Sequence, residues 1–262
     1  MEIVPYVLAG FGVGTLVGLT GVGGGSLMTP LLIFVFGIAP VTAVGTDLMF
    51  ASITKATGIW HHRRRENIRW DIAGLMLAGS LPTSILVVYY MEEQFRHAGA
   101  GLDLVIHTGL GAALLLTATA LLFKSRVQGL GRRLKIWLPN WRAWRPAATV
   151  TAGIVLGTLV PISSIGAGAL GAAMLLFLYP SSPTRVIVGT DIAHAVPLTL
   201  VAGLGHMHMG TVDFKMLSIL LIGSLPGIYL GSHLTSVVPE RVIRPLLASV
   251  LILIGVKFMF AA

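Results

Sequence analysis

Thr20-Gly21-Val22-Gly23-Gly24-Gly25-Ser26-Leu27-Met28-Thr29-Pro30 is the stretch on which the reading of this chain turns. It sits inside an apolar run, residues 4–38, that is too long for one simple crossing of a bilayer. About 20 helical residues already span ~30 Å of hydrocarbon. Three consecutive glycines are a poor place to continue a helix, because glycine loses the most backbone freedom there. A serine and a new apolar run follow at once, so the reading is a helix that breaks and starts again. Broken backbone at membrane depth persists only where protein surrounds it or where it lines a polar cavity. The restarted helix presents free N–H groups and the positive end of its dipole, which suits an anion. Tight helix crossing through glycine is the competing explanation.

The rest of the chain agrees with a membrane setting. It has 262 residues, a mean hydropathy of +0.87, 55% hydrophobic and only 11% charged residues. A soluble domain carries about 25% charged residues and cannot hide this much apolar surface. Disorder and a collagen-like repeat fail on the same count. Cysteine is absent, which removes disulfides, thiolate metal sites and cysteine nucleophiles. The net charge of +8 does not point to nucleic acid, since no segment is polar enough to build a folded basic groove. Met1-Glu2 lacks a basic n-region, so a cleaved signal peptide is not expected.

The apolar runs are 4–38, 40–60, 70–90, 101–123, 147–179, 185–205, 214–235 and 243–260. Runs 4–38 and 147–179 both exceed one span and both carry clustered glycines. Loops 61–69 and 124–146 hold 11 of the 18 basic residues and are separated by two ordinary spans. They therefore share a side, and the positive-inside rule makes that side cytoplasmic. The loop Met91-Glu92-Glu93-Gln94-Phe95-Arg96-His97 is then external. Trp60, Trp70, Trp137, Trp141 and Trp144 all fall at or near the inner interface, where indoles are expected. Segment 124–146 mixes Leu130, Leu134, Trp137, Leu138 and Trp141 with Arg132, Arg133, Lys135 and Arg142. It reads either as a helix lying on an anionic leaflet or as a basic linker.

The two halves repeat. Gly10, Gly14, Gly23 and Gly25 recur as Gly153, Gly157, Gly166 and Gly168 at an offset of 143. Gly45-Thr46-Asp47 and Gly79-Ser80-Leu81-Pro82 recur as Gly189-Thr190-Asp191 and Gly223-Ser224-Leu225-Pro226 at 144. The expected fold is an all-α polytopic membrane protein of two repeated halves, each of about four apolar elements, with broken or re-entrant Gly-rich helices. Residues 1–123 form the first membrane repeat, 124–146 a basic cytoplasmic connection and 147–262 the second repeat. If the Gly-rich elements cross fully, the repeats run parallel. If they are hairpins, the repeats are inverted.

Candidate site residues follow from cost. Gly23, Gly24, Gly25 and Ser26 line the first break. Ser163, Ser164, Gly166 and Gly168 line the second, and together they are expected to bind substrate. Asp47 and Asp191 are carboxylates inside apolar spans, where such groups face a cavity or a partner. They read either as proton-coupling groups or as structural acceptors, with Thr46 and Thr190 fitting either role. His194 follows Asp191 by three positions, shares its helix face and is a candidate proton relay. Lys55 is the one basic residue well inside a span. It attracts the anion, or neutralises a carboxylate from another helix, or snorkels to the nearby basic loop. His206 and His208 make only a weak metal signal, and no metal site or cofactor is expected. Pro82 and Pro226 are expected to kink helices or mark hinges.

With Gly21 to Pro30, Gly-Thr-Asp in both halves and Ile165-Gly166-Ala167-Gly168, the chain resembles the sulfite exporter TauE/SafE family over about residues 4–260. The resemblance implies a small permease of about eight membrane segments in two related halves. It implies transport of sulfite, sulfonates or related sulfur-containing or organic anions. The resulting expectation is a secondary transporter in the cell inner or plasma membrane, multi-pass, proton-coupled and working by alternating access. A passive anion channel is the alternative. The expected partners are a small anionic solute and the lipid bilayer, with homo-oligomerisation open. An intramembrane enzyme would need a convergent catalytic set, for which Ser163, Ser164 and His194 are the only material.

Overall fold

The computed structural model describes residues 3–20, 25–64, 66–96, 101–137, 140–234 and 240–260. The regular structure among them is helical throughout: α1 (Ile3–Thr20), α2 (Gly25–Phe34), α3 (Pro40–Arg64), α4 (Trp70–Arg96), α5 (Gly101–Leu122), α6 (Lys124–Trp137), α7 (Trp141–Ser163), α8 (Ala169–Leu178), α9 (Thr184–His208), α10 (Phe214–Leu234) and α11 (Glu240–Phe260). Helix is what a hydrocarbon solvent demands, since it satisfies every backbone group within its own segment. Among the described residues α4, α7, α9 and α10 are each long and apolar enough to cross a membrane. The end of α5 and α6 add a fifth candidate, bent by 76° between them.

Each overlong apolar run resolves into a long helix and one of 10 residues, α1 with α2 and α7 with α8. Helix α7 begins at Trp141, earlier than the apolar run suggested. The reason is packing. Trp141 is buried edge-on against Phe177 of α8, 6.1 Å between ring centroids, instead of resting at the interface. Trp70, Trp137 and Trp144 are exposed, as interfacial indoles should be.

Helices α1 and α10 pack backbone against backbone. A Cβ added at Gly10, Gly14 or Gly18 of α1 would lie 2.3, 2.4 and 2.4 Å from the carbonyl oxygens of Leu220, Ser224 and Ile228 on α10. Helix α10 answers with Gly223, Gly227 and Gly231 against Val7, Phe11 and Thr15. Only small residues at every fourth position permit this approach. The same contact joins α7 to α4, where Gly153 meets Met76 and Gly157 meets Ser80 at 2.2 and 2.4 Å. Contacting residues rise together in number, so α1 runs with α10 and α7 runs with α4.

The other pairings set the remaining directions. Gly45 of α3 touches His206 of α9 while Gly203 touches Met49, so α3 and α9 run oppositely. Arg69 at the head of α4 reaches Thr190, Ser80 reaches His194 and Val88 reaches Gly205, so α4 runs with α9. Gly109 of α5 meets Ile162 of α7, whereas Leu116 and Ala120 share a cleft with Thr151 and Ala148, so α5 opposes α7. Gly111 meets Met259 and Gly255 meets Leu114 and Leu115, so α11 opposes α5. With the reversal through Met209–Asp213, helices α1, α3, α5 and α10 point one way and α4, α7, α9 and α11 the other. Because α1 and α3 are codirectional, short α2 returns between them. Short α8 does the same between α7 and α9.

Two hydrogen bonds tie the halves at corresponding places. The Asp213 N–H donates to Thr46 Oγ1 at 3.0 Å, and the Arg69 N–H donates to Thr190 Oγ1 at 3.0 Å. Both bonds satisfy a backbone donor just ahead of a spanning helix, which would otherwise be orphaned.

Candidate functional site

Helix α7 stops at Ser163 because the next residues leave helical space. Ser164 is left-handed at φ 56°, and Gly166 and Gly168 follow at φ 115° and 144°. Those angles are open to glycine and strained for other residues. The Ser163 hydroxyl donates to Leu159 O at 2.7 Å and accepts from the Ile165 N–H at 3.1 Å, closing the end of α7. All residues from Ser163 to Ala169 are buried. The break frees the Ala167 carbonyl, and the Lys55 ammonium of α3 donates to it. Lys55 is 7% exposed. It turns into the protein and does not snorkel towards the basic loop.

Two carboxylates accompany this ammonium. Asp47, fully buried on α3, accepts a 2.6 Å hydrogen bond through Oδ2 from the Thr29 hydroxyl of α2. Asp191, buried on α9, lies against Gly171 of α8, where a Cβ would fall 2.1 Å from its Oδ1. Lys55 is in electrostatic range of both carboxyl groups. The Ser164 hydroxyl approaches the Asp47 carboxyl without completing a well-formed hydrogen bond. One turn beyond Asp191, His194 is buried and its Nε2 pairs with Ser80 Oγ of α4 at 2.9 Å.

Four polar atoms in this cluster have no hydrogen-bond partner among the described residues: Asp47 Oδ1, Asp191 Oδ1, Ser164 Oγ and His194 Nδ1. A buried polar atom left unpaired costs on the order of 1–3 kcal/mol. Their concentration around one point marks a place built for something polar. Five helices and one helix break meet there: α2, α3, α4, α8 and α9 with the end of α7.

Several expected site residues stand elsewhere. Thr46 and Thr190 face the cross-half backbone donors, and Thr190 also bonds Val186 O at 2.7 Å. Ser163 is taken up by the helix end. Gly25 opens α2, while Gly23, Gly24 and the Ser26 side chain lie outside the described residues. His206 is buried between Pro161 O and Thr211 Oγ1, each 3.0 Å away. His208 is exposed and 3.6 Å from Glu92. No group of three His, Cys, Asp or Glu side chains fit to hold a metal occurs among the described residues. Sequence reasoning missed Thr29, Ser80 and the Ala167 carbonyl. Ser80 lies within the recurring Gly-Ser-Leu-Pro, which was the available signal.

A buried ammonium, two carboxylates and an imidazole beside a broken helix make a polar centre within a bundle of membrane-spanning helices. The comparisons with known proteins speak to the same architecture. The family model described as "Sulfite exporter TauE/SafE" matches residues 6–258. The chain belongs to that family. "Probable membrane transporter protein YjnA" of Bacillus subtilis (strain 168) is 38% identical, covering 97% of this chain and 98% of that protein. "Probable membrane transporter protein YdhB" of the same organism is 26% identical over 91% of this chain and 92% of its own. "Probable membrane transporter protein MJ0441" of Methanocaldococcus jannaschii is 24% identical over 95% of this chain and 92% of its own. No solved structure matches. This TauE/SafE chain is thus a multi-pass membrane transporter.

Proposed function

We propose that this TauE/SafE transporter is a proton-coupled secondary carrier of small sulfur-containing or organic anions, with sulfite and sulfonates as the first class to test. It works in the plasma or cell inner membrane, with the basic connections cytoplasmic. The observation that carries the reading is the buried meeting of Asp47, Lys55, Asp191, Ser164 and His194 at the Gly166–Gly168 break. Substrate sites at broken helices between oppositely directed helix sets are the usual plan of secondary carriers. The anion is held by the start of α8 and by hydroxyls, with Lys55 as the nearby cation.

Charge counting links the anion to a proton. With both carboxylates ionised, two negative charges against one ammonium leave the centre negative, so an anion entering alone is repelled. A proton taken up by Asp47, Asp191 or His194 removes that obstacle, and anion and proton move together. Alternating access follows if α3 and α9, which carry these groups, change their packing as a unit.

The test is flux into proteoliposomes of labelled sulfite, sulfate, thiosulfate and an organic sulfonate, with and without an imposed pH gradient. Saturable flux and counterflow of at least one anion, accelerated by inward proton movement, is expected. Flux without counterflow would indicate a passive anion channel. No anion flux under any condition overturns the proposal.

A further inference from the structure

The proposed carrier function leaves one built feature unused. Beside α6 lie two adjoining hollows that share Val127. The first, about 580 Å³, is an apolar cleft between α5, α7 and α8, with Leu116, Ala152, Val155, Leu170, Met174 and Phe177 in its walls. The second, about 640 Å³, is framed by Arg126, Gly129, Leu130 and Arg133 of α6 with Phe123 at the bend.

The bend explains why they adjoin. Helix α6 turns 76° away from α5 and lies across the end of the cleft. It is pinned there by Gly131, where a Cβ would fall 2.2 Å from Phe177 O of α8. Gln128 and Lys135 add hydrogen bonds to Pro180 O and Ser181 Oγ, 3.1 Å each. Gly131 is small because α6 must touch the backbone of α8. The Arg126 guanidinium is steadied over the Phe123 ring, 5.1 Å from its centroid. Neither Arg126 nor Arg133 has an ion pair among the described residues. Exposed Leu130, Ile136 and Trp137 put α6 at membrane–water level.

We infer that an anionic phospholipid binds here, one acyl chain in the α5–α7–α8 cleft and its phosphate on Arg126 and Arg133. The apolar cleft fits a hydrocarbon chain and nothing charged. The two arginines at its mouth are paired donors for phosphate oxygens. The leaflet is the one on the side of the basic connections, where anionic headgroups hold such a segment. Because α6 rests on α8, a bound lipid also steadies the short helix that begins at the break.

Native mass spectrometry of the purified full-length protein tests this, using phosphatidylglycerol and phosphatidylcholine of identical chains. Retention of phosphatidylglycerol over phosphatidylcholine is expected. The double substitution R126Q/R133Q weakens that retention about 30-fold. T151W, which fills the cleft from its exposed rim, abolishes retention of either lipid. Circular dichroism and a monodisperse elution profile confirm that both variants are folded. Equal retention of the two lipids, or retention unchanged in R126Q/R133Q, overturns the headgroup assignment. Retention unchanged in folded T151W overturns the cleft. Neither result depends on anion flux, so it stands apart from the proposed transport.

Discussion

The Lys55 ammonium, on a helix that enters from one half of the chain, donates to the Ala167 carbonyl at the helix break of the other. The bond joins the charged centre to the break after α7, where the backbone has left helical geometry. Lys55→Met would strand that carbonyl and leave both carboxylates without their cation. Removing one partner of a buried charged set costs on the order of 3–5 kcal/mol. A clear fall in Tm is expected, with anion flux lost. The double variant Lys55→Met/Asp191→Asn should recover part of the Tm but not the flux. A Tm equal to that of the unsubstituted protein would mean that the lysine snorkels after all.

Asp47→Asn keeps an oxygen to accept from the Thr29 hydroxyl but cannot gain and lose a proton. Folding is expected to survive, since the 2.6 Å bond to Thr29 has an equivalent acceptor. Flux should lose its response to an imposed pH gradient, while counterflow continues. Measuring both in the same vesicles separates coupling from binding. A retained pH response would assign the carboxylate to structure alone.

The opposed helix directions make a clean prediction about sidedness, and the chain has no cysteine to confuse it. Arg185→Cys should react with an impermeant thiol reagent from the same side as Ser125→Cys on α6. Lys215→Cys should react from the opposite side. If α7 and α8 together made one full crossing, Arg185 and Lys215 would exchange sides.

Glycine positions on one helix should differ sharply in tolerance. A Cβ at Gly14 meets the Ser224 backbone at 2.4 Å, whereas at Gly12 it meets nothing within 4 Å. Gly14→Ala forces α1 from α10 and is expected to cost about 1–3 kcal/mol. Gly12→Ala should be neutral or raise Tm slightly, since alanine is the better helix former. Thermal unfolding in detergent checks both. Equal effects would remove the backbone contact from the account of the fold.

Thr46 and Thr190 each accept from one backbone N–H across the halves. Replacing either by valine leaves a backbone donor unpaired at a cost of about 1–3 kcal/mol. If the two bonds hold opposite ends of the transport cycle, Thr46→Val and Thr190→Val shift thiol accessibility at Ser80→Cys in opposite directions. Shifts of the same sign would reduce both threonines to plain structural acceptors.

Much of the architecture is legible along the chain because lipid is an unforgiving solvent. Apolar runs, basic connections and clustered glycines each obey a one-dimensional rule, and the recurrences at 143 and 144 residues need only a comparison of the chain with itself. The carboxylates were legible as well, since a charge in a span is costly wherever it points. What a helix face meets is a different matter. Helical spacing sets Asp191 and His194 side by side, but it says nothing about Ser80 on α4 or Gly171 on α8. Thr29 and Ala167 escaped notice because a threonine in an apolar helix and a backbone carbonyl look ordinary until their partners are seen.

By itself, the amino-acid sequence determined the membrane class, the overlong Gly-rich runs and the candidate charges, all set by the balance between burial and solvation of single residues. Only the tertiary structure decided the direction of each helix, the inward turn of Lys55 and the gathering of Asp47, Asp191 and Ser164 at one break. The physical reason is that these depend on which backbone can approach which. Gly10, Gly14, Gly153 and Gly157 admit a neighbouring helix to contact distance, and that approach sets the register in which distant side chains meet.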